Sequence, residues 1–145
     1  MFFKNLSLYR LPPDWNLSAN ELESQLEGRP LQPCGQFDMS SRGWMPVGPT
    51  ARYLHSIGNH YLIALGVEQK LLPGSIIRQE AADRAVAIAA EQGFPVGRKQ
   101  MRDLRLRVTE ELRARALVKR RVTHAWIDRE NGWFIVDAAG AARAE

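Results

Sequence analysis

Cysteine is almost absent from this sequence of 145 residues, which contains only Cys34. One cysteine excludes an intrachain disulfide and leaves a zinc knuckle without its partner ligands. Long apolar runs are also missing, because no stretch approaches the roughly 18 apolar residues of a membrane span. The N-terminus, interrupted by Lys4, Arg10 and two prolines, is not typical of a signal peptide. We therefore expect a cytoplasmic protein with no membrane partner.

Signatures of catalysis and nucleotide binding are missing as well. The segment between Gly93 and Lys99 has glycines and a lysine, but it has neither the spacing nor the hydroxyl residue of a P-loop. Neither a GxSxG nor an HExxH motif occurs. His55 and His60 flank a predicted turn, yet no third metal ligand accompanies them. We predict a protein with no enzymatic activity, no metal and no cofactor.

Positive charge is concentrated in one segment, residues 98–121. It contains ten basic and three acidic residues, a net charge of +7, whereas the rest of the chain carries −3. Such a concentrated field attracts a polyanion more strongly than an evenly basic surface does. The residues that we predict to contact DNA are Arg98, Lys99, Arg102, Arg105, Arg113, Arg115, Lys119, Arg120 and Arg121.

The same segment has the periodicity of an amphipathic helix. At about 100° per residue, its apolar residues fall within an arc of about 80°, and four arginines occupy a neighbouring arc of similar width. The apolar set is Met101, Leu104, Val108 and Leu112, and the arginine set is Arg98, Arg102, Arg105 and Arg113. A solvated helix face is the alternative explanation of this charge. A solvated helix face does not explain why three further basic residues, at positions 119–121, follow where the helix should end.

The remaining patterns predict an α+β fold with an antiparallel sheet built from hairpins. Strands are expected at residues 6–11, 53–57, 60–67, 122–130 and 133–138. Two-residue turns are expected at Gly58-Asn59 and Asn131-Gly132. Ser18 and Glu21 form a capping box for a short helix, and the last eight residues should start another helix.

Two consecutive helices are predicted in the middle of the chain. Ser75 is expected to cap a helix that runs to about Gln92, and its apolar face contains Ile77, Ala81, Ala85 and Ile88. Residues 93–97 break the pattern before the basic helix begins. We predict a helical hairpin at about residues 75–117 that projects from the sheet and packs beside it. The whole chain, residues 1–145, is expected to form a single α+β unit.

The last predicted hairpin carries acidic and aromatic residues on one face. Asp128 and Asp137 there would offer the paired carboxylates that a metal-dependent nuclease needs, although no acidic cluster or candidate base accompanies them. Trp126 and Trp133 would either stack on exposed bases or be buried under the basic helix or at a subunit contact. Sheet-surface carboxylates that balance the basic segment are the simpler interpretation.

Five segments, in order and spread over the whole chain, resemble the bacterial recombination-associated RdgC family. They are KNLSLYRL near the start, PCG at 33–35, GWMPV at 43–47, EQKLLPGSIIRQ at 68–79 and AWIDRENGWFIVDAA at 125–139. In that family this stretch forms the N-terminal half of a longer protein. Leu117 stands where the family has an exposed aromatic residue, and the basic helix here is richer in arginine.

The resemblance implies a non-enzymatic DNA-binding protein associated with the nucleoid. Family members form a ring-shaped homodimer whose positively charged hole surrounds double-stranded DNA with little sequence preference, and they limit the access of the recombinase RecA. Single-stranded DNA remains an alternative ligand. Two other functions stay open from the residues alone: a protein-interaction or dimerisation module, and the metal-dependent nuclease.

Overall fold

The computed structural model describes residues 3–140. Six strands and three helices follow one another along this part of the chain. They are β1 (Leu6–Arg10), α1 (Ala19–Glu27), β2 (Ser40–Met45), β3 (His55–Ile57), β4 (His60–Lys70), α2 (Gly74–Gln92), α3 (Arg98–Arg115), β5 (Val118–Asp128) and β6 (Trp133–Asp137). The helix predicted at the end of the chain lies for the most part outside the described residues.

The strands form one open antiparallel sheet, which confirms the predicted α+β class. Its order is β1-β6-β5-β4-β2, and the short strand β3 also pairs with β4. The sequence of β4 is nearly continuous in apolar residues because the strand lies inside the sheet, with neighbours along both edges. The two predicted hairpins are present as β3–β4 and β5–β6.

The two hairpin turns differ from each other. Ile57 pairs with His60, so Gly58-Asn59 is the two-residue turn that the sequence predicts. In the other hairpin Asp128 pairs with Trp133, which leaves a four-residue loop. The predicted two-residue turn is wrong there because the Asp128 carboxylate accepts hydrogen bonds from the Asn131 backbone N–H at 3.0 Å and side-chain amide at 2.8 Å.

The changed register leaves the predicted faces of that hairpin intact. Side chains alternate along a strand, so a shift of two residues in pairing returns each side chain to the same face. Ala125, Ile127, Val136 and Ala138 are buried in the core, on the face opposite the one predicted to carry the acidic and aromatic residues, and Phe134 packs against them.

Helix α1 covers one face of the sheet and closes this core with Leu22 and Leu26. Its predicted capping box is present: the Ser18 hydroxyl accepts from the Glu21 N–H at 3.3 Å, and the Glu21 carboxylate accepts from the Ser18 N–H at 2.9 Å. Such a box satisfies N–H groups that have no partner within the helix. The hydrogen bonds that the Glu21 carboxylate accepts from the Ser18 N–H and from the Ser18 hydroxyl lower the pKa of Glu21.

Helices α2 and α3 form the predicted hairpin, joined by residues 93–97. Ala81, Ala85, Leu104 and Val108 are buried between them, and Ile77, Ile88, Met101 and Leu112 pack around this centre. Both predicted apolar stripes are thus confirmed. The predicted cap at Ser75 is wrong, because Pro73 is the N-cap residue and the helix begins at Gly74. The fixed φ of proline suits this boundary, and no side chain caps it.

The chain divides into two compact units. As far as they are described, the first contains residues 1–33, 41–67 and 120–145, and the second contains residues 34–40 and 68–119. The first unit holds most of the sheet with α1, and the second holds the helical hairpin. The single unit expected from the sequence stays a prediction. Within residues 3–140, no helix is both long enough and apolar enough to cross a membrane.

Candidate nucleic-acid interface

The predicted DNA-binding residues lie on two elements. Helix α3 carries six of them, and the other three, Lys119, Arg120 and Arg121, lie on strand β5. This strand begins at Val118, four residues before the predicted start, so the three side chains have the alternating directions of a strand. All nine are exposed except Arg113, which is half-buried.

Three arginines of α3 form a row along one side of the helix. Arg98, Arg102 and Arg105 are three or four residues apart, the spacing that stacks side chains on one helix face. Together with Met101, Leu106 and Thr109 they line a shallow groove of about 560 Å³. The row spans about 10 Å along the helix axis. We call Arg98, Arg102 and Arg105 the arginine row.

The charges of the arginine row are not neutralised by carboxylates. None of the three forms an ion pair with any residue in the described part of the chain. The acidic residues of α3, Asp103, Glu110 and Glu111, lie about 110° or more around the helix from the middle of the row. Glu111 is bound instead to Arg84 of α2 at 2.7 Å. The positive potential of the row is therefore directed to solvent.

The start of α3 adds to this potential. Gly97 is the N-cap residue, it has no side chain to cap the helix, and the first turn contains no acidic residue. The first N–H groups of a helix lack partners within the helix, and they carry the positive end of its dipole. Arg98 and Lys99 are exposed at the same end. Backbone and side chains together therefore favour an anion at this end.

Arg113 differs from the other predicted contacts. Its guanidinium donates to the carbonyl of Phe37 at 3.4 Å, and its Nε atom is buried without a hydrogen-bond partner among the described residues. The segment that contains Phe37 is in turn fixed by Lys70, whose buried ammonium donates to the carbonyls of Gly35 and Gln36, each at 2.7 Å. Part of the Arg113 side chain is thus used in holding residues 34–40 within the same unit.

The carboxylates of a nuclease site are not brought together. Asp128 pairs with Trp133, and Asp137 lies four residues further along β6, so their backbones are about 13 Å apart. Metal ions in a two-metal site are only about 4 Å apart. Asp137 accepts from the backbone N–H groups of Lys4 and Asn5, both at 2.9 Å.

These carboxylates are held as anions by hydrogen bonds. The pKa of Asp128 is lowered mainly by the hydrogen bond from the Asn131 side chain, and that of Asp137 is lowered mainly by the backbone N–H of Asn5. In residues 3–140 there is no group of three or more His, Cys, Asp or Glu that could hold a metal ion. Both carboxylates are engaged by backbone or side-chain N–H donors, Asp128 in the turn before β6 and Asp137 beside β1.

His60 is bound to a tryptophan rather than to the second histidine. The Trp126 indole N–H donates to His60 Nδ1 at 3.1 Å, and the two rings meet edge to face at 5.3 Å. That nitrogen lies 3.8 Å from the Asp128 carboxylate, beyond hydrogen-bond distance. His55 pairs with Leu62 in the strand register, so the two histidines are not directly opposed.

An apolar groove on the sheet was not predicted from the sequence. It has a volume of about 440 Å³, and we call it the sheet groove. Its lining includes Phe3, Leu6, Ile57, Leu62, Trp126 and Ile135. Leu6 is 57% exposed and Ile57 is 65% exposed. The sequence contained one signal for this groove, the alternation of apolar residues at β1. It places Leu6 and Leu8 on one face of the sheet and Tyr9 and Leu11 on the other, so both faces carry apolar side chains there.

The two tryptophans of the β5–β6 hairpin, Trp126 and Trp133, lie outside the buried core. Trp126 keeps 39% of its surface exposed beside the sheet groove. Trp133 is half-buried, and the Arg10 guanidinium lies 3.7 Å from the centre of its ring. A cation over an indole face is attracted by the ring quadrupole. The Trp133 ring is therefore already covered on one side by Arg10.

Comparison with known proteins places this sequence among recombination-associated proteins. A family model described as "Putative exonuclease, RdgC" matches residues 1–145. The chain is 46% identical over 145 residues to the recombination-associated protein RdgC of Dechloromonas aromatica (strain RCB), covering 100% of this chain and 48% of that protein. It is 41% identical over the same length to the RdgC of Janthinobacterium sp. (strain Marseille), again 48% of that protein.

The similarity is continuous, and it is confined to one half of the relatives. A third relative, the RdgC of Herminiimonas arsenicoxydans, is also 41% identical over 145 residues, with 48% of its length covered. The chain thus spans about half the length of the curated relatives that it matches. Because the family model covers every residue, this chain belongs to the RdgC family.

Proposed function

We propose that this chain binds DNA without sequence preference, through phosphate contacts made by α3. The observation that carries this proposal is the arginine row, whose three members are exposed and form no ion pair with any described residue. Arginine presents a planar fork of donors that matches a phosphate group. No base-reading arrangement is needed, since contacts to phosphate carry no sequence information.

The salt dependence of affinity tests this proposal directly. Each phosphate neutralised by a basic side chain releases counterions from B-DNA and contributes about −0.9 to the slope of log K against log salt. Four or five simultaneous contacts by Lys99, Arg115 and the arginine row give a slope of roughly −4 to −5. Duplexes of unrelated sequence should give the same slope and affinity. A slope near zero would contradict the proposal.

In the cell, this binding would act in recombination at the nucleoid. The relatives are named recombination-associated proteins, and the family resemblance suggests that occupied DNA is less accessible to RecA. The expected result is slower assembly of RecA on DNA preincubated with this protein, and no effect of a variant that has lost the arginine row. Equal inhibition by that variant would mean that the effect does not depend on DNA occupancy.

DNA binding without cleavage fits the site better than the exonuclease activity in the description of the family model. The two carboxylates considered for metal binding are about 13 Å apart along the strands and are engaged in hydrogen bonds. We expect duplex DNA to remain intact after incubation with the protein and Mg²⁺ or Mn²⁺. Degradation that disappears in Asp128→Asn or Asp137→Asn would overturn this interpretation.

A protein-interaction or dimerisation role is the second candidate, and the sheet groove favours it. Exposed apolar side chains gathered in one groove are typical of a surface that contacts another protein. A homodimer formed here would lose stability when Ile57→Asp introduces a charge, and light scattering would then report a smaller particle. The salt slope of DNA binding by the monomer should not change, which separates this role from the first.

A further inference from the structure

We propose that Phe94, at the tip of the helical hairpin, inserts between neighbouring base pairs of duplex DNA while Arg98 and Lys99 hold the flanking phosphates. This inference deepens the proposed function and rests on it, because the ring would reach the bases only of DNA that α3 has bound. It assigns to the tip a contact different in kind from phosphate binding. The ring would unstack one base step and bend the duplex.

The exposure of Phe94 is the first observation behind this inference. Its side chain is 61% exposed, although it lies within the five residues that connect α2 and α3. Val96, two residues later, supplies the apolar contact of this connection with the buried core of the helical hairpin. Phe94 is not part of that core, so packing of the hairpin does not explain an aromatic residue at this position.

The tip that carries Phe94 is braced from both helices. Gly93 ends α2 with a φ of +80°, a conformation that favours glycine, and its N–H donates to the Ala89 carbonyl at 2.9 Å. The Gln92 side chain donates to the Phe94 carbonyl at 2.9 Å and also accepts from Gln100 at 2.9 Å. A ring presented on an ordered turn needs less ordering when it binds, which lowers the entropic cost of insertion.

The charge around the tip identifies DNA as the occupant. No acidic residue occurs between Gln92 and Arg102, and this interval contains Arg98 and Lys99 beside the uncapped start of α3. In duplex DNA the stacked bases are apolar and the phosphates on either side are anionic. The apolar ring of Phe94 is complementary to the bases, and the cations and backbone N–H groups beside it are complementary to the phosphates. Proteins that insert Phe or other apolar side chains between base pairs combine these two kinds of contact.

Fluorescence of 2-aminopurine, which rises when the base is unstacked, separates insertion from phosphate binding. The experiment uses a short duplex with 2-aminopurine at several positions and saturating amounts of the full chain. We expect the wild-type chain to raise the fluorescence severalfold and Phe94→Ala to abolish this rise. Because stacking contributes to affinity, Phe94→Ala should also bind about five- to a hundredfold more weakly, with the same salt slope.

Two further variants complete the test. Phe94→Trp should keep the fluorescence rise, and Val86→Ala, which removes an apolar side chain 72% exposed on α2, should behave as wild type. The insertion is refuted if wild-type binding leaves the fluorescence unchanged, or if Phe94→Ala retains the full rise. If the wild-type chain does not bind the duplex at all, the proposed function itself fails. Binding with the expected salt slope but without a fluorescence rise refutes only the insertion.

Discussion

The two helices of the hairpin share one buried core and differ in charge. Helix α2 has 19 residues with two basic and three acidic side chains, whereas α3 has 18 residues with seven basic and three acidic side chains. The basic residue of α2 nearest the interface, Arg84, is bound to both Glu80 and Glu111. The arginine row of α3 has no such partner among the described residues.

This difference shows that the charge of α3 is not required for packing. Both helices bury small or aliphatic residues against each other, and α2 does so with a net charge of −1. Arg98, Arg102 and Arg105 lie on the side of α3 that the core does not use. Like charges three or four residues apart repel each other, so the row reduces helix stability slightly. Since the row does not stabilise the hairpin, we interpret its three arginines as residues that bind a ligand.

The largest effect is expected from the core that the helices share. Leu104→Ala removes a side chain that is 6% exposed and should lower the free energy of unfolding by about 2–5 kcal/mol, because a cavity remains. Leu106→Ala is the matched control, since Leu106 lies on the same helix and is 60% exposed. Urea denaturation measures both. Equal losses for the two variants would contradict the separation of a packed side and a solvent side of α3.

The next largest effect is expected on DNA affinity, and it depends on whether a charge is removed from the arginine row or from α2. Arg102→Gln with Arg105→Gln should weaken DNA binding by roughly fiftyfold at about 0.1 M salt and reduce the salt slope by about 1.8, because two phosphate contacts are lost. Arg78→Glu on α2 changes the total charge by the same amount and should have a much smaller effect. Titrations at several salt concentrations measure both slopes. Equal weakening would show that total charge, and not the row, attracts DNA.

A smaller effect tests the ion pair between the helices. Glu111→Gln removes one of the two partners of Arg84 and one negative charge of α3, so stability should fall slightly while DNA affinity rises by no more than severalfold. Glu110→Gln removes the same charge from a residue that has no ion pair among the described residues. It should raise affinity similarly and leave the urea midpoint unchanged. A stability loss common to both variants would mean that the Arg84–Glu111 contact contributes nothing.

Local patterns in the sequence predicted the helical hairpin well. The apolar stripe of α3 repeats with helical spacing, and the break at residues 93–97 contains two glycines and a proline. For this reason the sequence predicted the connection between the two helices and the residues of their shared core. The prediction of Ser75 as a cap failed because Pro73, two residues earlier, already fixes the extended conformation from which the helix starts.

Contacts between distant parts of the sequence could not be predicted. The hydrogen bond from Arg113 to the Phe37 carbonyl joins residues 76 positions apart, so the helical pattern placed Arg113 with the other arginines. The four-residue loop before Trp133 depends on the Asp128 side chain, which competes with the Asn131-Gly132 turn signal. The sheet groove was missed because β1 is apolar on both faces, and only the completed sheet shows which face stays exposed.

The smallest effect is expected from pH, and it distinguishes α3 from the sheet as the surface that holds DNA. Arginine keeps its charge at all physiological pH values, and α3 contains no histidine. Affinity for duplex DNA should therefore change by less than about twofold between pH 8 and pH 6, a range in which histidine gains its charge. His55, His60 and His124 all lie on sheet strands. A steep rise in affinity as the pH falls, which His124→Gln removes, would show that the sheet contributes phosphate contacts. The difference in charge between α2 and α3 would then not be sufficient to explain DNA binding.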